Sequence, residues 1–247
     1  MSGRDEVISR IKRALKLPAP HPGHQDSNDG APIDTPPTEG ARVAQFVNTL
    51  PIIGQNIPAP RAWLPAVGDS WEEQAVLFAA HAADLKANFF VCDSQDDLRA
   101  NLAQLAAQEK WSGIAAHGGD LMRSALGQLG LPILWTDDGY DKIALERCSV
   151  GITLCDALVA QTGSVLVTSK SAGGRVLSVL PPHHVVLATR AQLVPDLPTA
   201  FELLQSKYGE AYPSMISFIT GPSRTGDIER ILVLGAHGPK KLSIFCV

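Results

Sequence analysis

The sequence predicts an α/β fold, a mostly parallel open sheet with helices on both faces, within one main domain. Three observations predict it. At 247 residues the chain is long enough for one large domain with a buried core. Its hydrophobic fraction of 45% and charged fraction of 19% are those of an ordinary globular protein. From residue 88 onward, short apolar runs alternate with segments of helical period, as in strands joined by crossover helices.

Taken in order, Val7, Ile8, Ile11, Leu15 and Leu17 recur at helical spacing between charged residues, which predicts a short amphipathic helix stopped by Pro18. Residues 18–40 mix Pro, Gly, Asp and Ser with little to bury and read as a flexible linker, so residues 1–40 are set apart from an α/β domain over 41–247. A lead helix is expected over 41–50, and a longer one over 71–86 opened by Asp69 or Ser70 as cap. Strands are expected at 88–92, 113–116, 133–135, 150–154, 165–168, 185–189, 214–220 and 242–247, with helices at 96–110 and 197–208. The last strand is expected to close the sheet. The links at 162–164 and 169–175 are too short for helical crossovers and predict a hairpin or mixed-sheet element.

Composition excludes several classes. A net charge of -4 and a pI near 6.0 give no electrostatic reason to expect a nucleic-acid partner. No stretch approaches the roughly 20 apolar residues of a membrane span. The first residues mix acids and bases without the apolar core of a secretory signal, so a cytoplasmic location is the expectation. Cys92, Cys148, Cys155 and Cys246 are scattered without C-x2-C spacing, and they read as buried small hydrophobes in a chain with no metal or iron–sulfur cluster of its own. Neither a dinucleotide fingerprint nor a P-loop occurs.

In parallel α/β sheets ligands sit beyond the carboxyl ends of strands. That rule selects four segments. In the first, after a predicted strand, Gly118 and Gly119 follow His117 and would let backbone amides approach an anion, or simply make a tight turn. The second runs from Asp156 to the turn Thr162-Gly163; Asp156 and Thr162 face a cleft, or else cap and reverse the chain. The third holds Arg175, suited to clamp a carboxylate or phosphate, and the pair His183-His184, of which His184 is the favoured acid or base. The fourth, Gly221 to Glu229, is expected to break a strand at Gly-Pro and enter a helix near Thr225. There Ser223, Arg224, Thr225 and Asp227 would surround an anion or serve as ordinary capping residues. His237, between glycines before the last strand, is the second candidate catalytic histidine. A zinc site of His117, His184 and His237 has a spacing that matches no recognised ligand pattern.

The strings DALVAQTGS (156–164), GGRVLSVLPPHH (173–184), GPSRTGDIE (221–229) and GAHGP (235–239) together resemble the LutC/YkgG family, the lactate utilization proteins of the LUD domain, over about residues 70–247. The resemblance implies a fold like that of the NagB/RpiA/CoA-transferase group. It also implies a part in oxidising L-lactate to pyruvate beside two partner proteins that hold iron–sulfur clusters. Gln161 stands where many members of the family carry Glu, which removes a general base there and leaves only hydrogen bonding.

The leading expectation is a subunit of an iron–sulfur-dependent L-lactate oxidation system. A small carboxylate or anionic cofactor group would be held by Arg175, Ser223 and Thr225, and His184 or His237 would take the hydroxyl proton. An independent transferase, ligase or isomerase on an acyl, folate or sugar-phosphate substrate is the first alternative, and it needs Asp156, Asp227 or Glu229 in the pocket. A non-catalytic assembly subunit is the second.

Overall fold

The computed structural model describes residues 65–225, 233–235 and 237–247, all of them within the unit Pro58–Val247. The expected amphipathic helix, the linker over 18–40, the lead helix over 41–50 and Asp227 lie outside the described residues. Helix α1 (Trp71–Asp84) opens on a reciprocal cap: the Glu73 N–H donates to the Ser70 hydroxyl at 3.2 Å, and the Ser70 N–H donates to the Glu73 carboxylate at 3.1 Å. There follow β1 (Asn88–Val91), α2 (Gln95–Glu109), β2 (Ile114–Ala116), α3 (Asp120–Leu126), β3 (Ile133–Trp135), α4 (Lys142–Glu146) and β4 (Val150–Leu154). Next come β5 (Ala157–Val159), β6 (Ser164–Thr168), β7 (His183–Ala188), β8 (Leu193–Val194), α5 (Leu197–Tyr208) and β9 (Ile216–Ile219). The last elements are β10 (Arg224–Thr225), β11 (Val233–Leu234) and β12 (Lys241–Cys246).

Six strands form one sheet in the order β1-β12-β7-β4-β2-β3, and every neighbouring pair is parallel. Alternate residues of its strands feed different cores. Val185, Leu187, Ile152 and Phe245 meet α2 and α3 on one face, while Val186, Ala188, Ile244 and Cys246 meet α1 and a second sheet on the other. Phe78 of α1 is fully buried there, its ring 4.7 Å from that of Phe89, a burial that stabilises by roughly 1.5–3 kcal/mol. The expected parallel α/β architecture with helices on both faces is therefore present. Among the described residues no helix is long and apolar enough to cross a membrane.

Three features differ from expectation. The last strand does not close the sheet but is inserted between β1 and β7, where its residues 242–246 are buried. One face is covered partly by a four-stranded sheet, β8-β5-β6-β9, whose outer side carries α5 through Ala200 and Leu204. Residues 224–225 form strand β10, paired antiparallel with β11, and not a helix start, so the helix-dipole argument for an anion at Ser223–Thr225 falls.

The expected hairpin at 162–164 does form, joining antiparallel β5 and β6. Gly163 sits at φ +64, and a Cβ there would meet the His81 Cβ at 2.7 Å and the Ala82 nitrogen at 3.1 Å, because the turn lies directly on α1. Gly163→Ala therefore combines left-handed strain, about 1–2 kcal/mol, with a steric collision. Chemical denaturation should show a loss larger than that strain alone; an unchanged midpoint would contradict this contact.

His183 and His184 open β7 in the centre of the large sheet and are 4% and 1% exposed. Burial pushes His183 down to about 4, and burial with the charge of His183 pushes His184 down to about 3. Both folded values lie below the ordinary 6.5, so the unfolded chain takes up protons first as pH falls. This stability is whole above pH 6.5 and declines as pH falls, down to about 4 for His183 and about 3 for His184, at up to about 1.4 kcal/mol per pH unit per histidine. Urea unfolding at pH 7.5 and pH 5.0 should show that decline, reduced in His184→Asn; an equal decline in both proteins would contradict the burial of His184 as its cause.

Candidate functional site

Where neighbouring parallel strands send their connections to opposite faces, their carboxyl ends part and leave a crevice. β2 and β4 are such a pair. The chain leaves β2 through α3 on one face of the sheet, and leaves β4 for β5 of the second sheet on the other face. A cleft of ≈ 520 Å³ opens at that point, bounded by His117 and Gly118 after β2, Leu154 and Cys155 at the end of β4, and Thr189 and Gln192 after β7. Lys170, Ser171 and Lys207 complete its polar wall.

His117 forms the floor. It is 6% exposed, and its Nε2 accepts the Leu154 N–H at 3.3 Å, which places the ring proton on Nδ1. Burial pulls its pKa below the ordinary histidine value, against smaller opposing contributions from the Gly118 backbone and Asp137. The loop after β6 lies close above: a Cβ on Gly173, at φ +61, would stand 2.3 Å from the His117 Cβ. That loop is shaped by Thr168, whose hydroxyl accepts the N–H groups of Lys170 and Ser171 at 3.2 Å each, and whose own N–H donates to the Ser171 hydroxyl at 2.9 Å. The turn sets Lys170 on the rim, exposed and without an ion pair to a described residue.

The second cation is held from below. Asp156, between β4 and β5, is 3% exposed, and its Oδ1 accepts the Lys207 ammonium at 2.7 Å and the Tyr208 hydroxyl at 2.8 Å. Burial alone raises the Asp156 carboxyl, but the bond from Lys207, with help from Ser171, Tyr208 and Thr168, outweighs it and holds the pKa below the usual carboxylate value. The same contact raises Lys207 despite partial burial. Lys207, half exposed at 52% of its side chain, is an ammonium both anchored to the fold and open to the cleft.

The residues singled out from sequence do not share one hollow. Gly118 lines the cleft, but its N–H is already occupied, donating to both oxygens of the Asp137 carboxylate at 2.8 Å. The turn does receive a carboxylate, and it is the chain's own. Gly119 is the N-cap of α3. Asp156 lies beneath the cleft as the anchor of Lys207 and caps no helix, so it is not an exposed nucleophile. Thr162 donates to the Ser164 hydroxyl at 2.8 Å and, with Gly163, belongs to the hairpin on α1. Gln161 donates to the Pro65 carbonyl at 3.3 Å. Arg175 is spent on the Ser214 carbonyl at 2.8 Å, and Arg224 on the Leu85 carbonyl. Thr225 pairs through its backbone with Val233.

His184, Ser223 and His237 do come together, but in a separate cavity of ≈ 230 Å³ at the opposite rim. The reason is strand polarity. His184 opens β7 and His237 precedes β12, so both stand at amino ends, and the six residues of β7 separate the rims by roughly 17–20 Å. Among the described residues no Lys or Arg lines that cavity, and Arg175, expected there as an anion clamp, is not part of its wall. The cationic chemistry belongs to Lys170 and Lys207, which local motif reading passes over: one follows a short strand, the other sits on the last turn of a helix. The signal available in the sequence was Asp156, an acidic residue within an apolar run that needs a cation when buried.

A family model described as the LUD domain matches residues 76–247. Lactate utilization protein C of Anoxybacillus flavithermus is 35% identical over 172 residues, 64% of this chain and 73% of that protein. Proteins of the same description from Geobacillus sp. and Bacillus subtilis are 38% and 35% identical over 104 and 114 residues, covering 41% and 45% of this chain and 43% and 48% of theirs. With those two relatives the match spans less than half of their length. Among solved structures, a DUF162 family protein from Deinococcus radiodurans superposes with a TM-score of 0.57 at 19% identity, covering 73% of this chain and 99% of that one, a likeness of fold. With the family model spanning more than half of its length and a 35% identical relative covered over 73%, the chain belongs to the LUD domain family.

Proposed function

We propose that this chain is the small-carboxylate-binding component of a lactate utilization system. The observation that carries this reading is the pair of ammonium groups, Lys170 and Lys207, set over His117 in the crevice between β2 and β4. Two ammonium groups against the single carboxylate of Asp156 leave one net positive charge, which suits a monocarboxylate. Relatives described as lactate utilization protein C supply the substrate class. In this reading Lys170 and Lys207 hold the carboxylate by charge-assisted hydrogen bonds. The imidazole of His117, its Nε2 already accepting the Leu154 N–H, forms the floor beneath the carboxylate and does not take over the proton-acceptor role assigned from sequence to His184 or His237. The electrons of L-lactate oxidation then pass to two iron–sulfur partner proteins in the cytoplasm, and this chain contributes substrate positioning rather than a cluster.

Calorimetric titration of the full chain with L-lactate, pyruvate and inorganic phosphate tests the reading. At least one carboxylate should bind, and Lys170→Met should weaken it by about tenfold or more, the loss of one charge-assisted hydrogen bond. Affinity unchanged in Lys170→Met, or no binding of any of the three to the unaltered chain, would overturn it.

A further inference from the structure

The crevice between β2 and β4 has walls of two kinds, because its two sides come from opposite faces of the large sheet. Along β4, Val150, Ile152 and Leu154 alternate onto the face covered by α2 and α3, so Leu154 ends the strand against that core. Leu121, in the first turn of α3, packs against the same core, and both leucines are half-buried where they line the cleft. Lys170 and Lys207 come from the other face, one in the loop after β6 and one in the last turn of α5. One wall is therefore cationic and the other apolar.

The cleft is also larger than lactate requires. Lactate has as many heavy atoms as benzene, for which a cavity of roughly 150 Å³ suffices, whereas the cleft holds ≈ 520 Å³. A lactate carboxylate seated on the two ammonium groups would leave most of that volume, and the exposed surface of Leu121 and Leu154, to water. Pockets of this size ordinarily bury a larger ligand, its apolar part lying against such side chains while a few polar groups fix its orientation.

We infer that the crevice takes α-keto and α-hydroxy monocarboxylates whose side chain is larger than a methyl group, with the carboxylate on Lys170 and Lys207 and the side chain on Leu121 and Leu154. This inference rests on the carboxylate reading above and narrows it: the lysines select the charge, and the leucines select the length of the acid. Each methylene moved from water onto the leucine wall gains up to about fourfold in affinity.

Calorimetry of the full chain with pyruvate, α-ketobutyrate and α-ketoisocaproate tests it, beside NMR of the chain labelled at its leucine methyl groups. Affinity should rise in that order, with α-ketoisocaproate about tenfold or more tighter than pyruvate. Its addition should shift the Leu121 and Leu154 methyl resonances more than pyruvate does. Leu121→Gln, which keeps a good helix former in α3, should reduce the ratio of the two affinities to about threefold or less. Lys170→Met should weaken all three acids by a similar factor and preserve the ratio. Longer acids that bind no more tightly than pyruvate, leucine methyls unmoved by α-ketoisocaproate, or a ratio indifferent to Leu121→Gln would each overturn the inference while the carboxylate reading stands. Binding of none of the three acids would overturn both. The methyl shifts are read on the unaltered chain, so they decide the matter even where the variant fails to fold.

Discussion

A carboxylate buried between two sheets stays ionised only beside a cation, and in this protein the contact between Asp156 and Lys207 meets that requirement. Much else depends on it. Asp156 begins the passage from β4 of the large sheet to β5 of the small one, and Lys207 ends α5, which packs on the outer side of the small sheet. The ion pair thus ties three layers together at one rim. It also fixes an ammonium at the edge of the crevice, where a free lysine on a helix surface would range over many rotamers.

Strand polarity accounts for the rest of the arrangement. Every strand of the large sheet points the same way, so the molecule has a carboxyl rim and an amino rim with unlike chemistry. The carboxyl rim carries two lysines, a shielded imidazole and a turn stabilised by its own Asp137. The amino rim carries hydroxyls, apolar side chains and a histidine kept neutral by burial. Insertion of β12 between β1 and β7 makes this division firm, since it buries the terminal strand and places the turn before it, with His237, at the amino rim.

Most of the large sheet was legible because apolar runs alternate along the chain with segments of helical period: α1, α2, β3 and β4 are found where the residue pattern puts them. The small sheet was less so. β5 and β8 have three and two residues, too few for any period to show, and their pairing joins segments more than thirty residues apart. The candidate site was legible in part for the same reason. Gly118 and Asp156 follow strands of the large sheet and do lie at the carboxyl rim, whereas His184 and His237 precede strands, and only the pairing of β7 and β12 shows which rim they occupy. Lys207 is separated from Asp156 by 51 residues, and nothing in the local sequence marks it.

The measurement that bears most directly on this account is an experimental structure of the full chain with pyruvate. The account predicts a carboxylate in the crevice between β2 and β4, within hydrogen-bonding distance of the Lys170 and Lys207 ammonium groups. Pyruvate bound instead beside His184 at the amino rim, or a crevice filled by other parts of the chain, would contradict it.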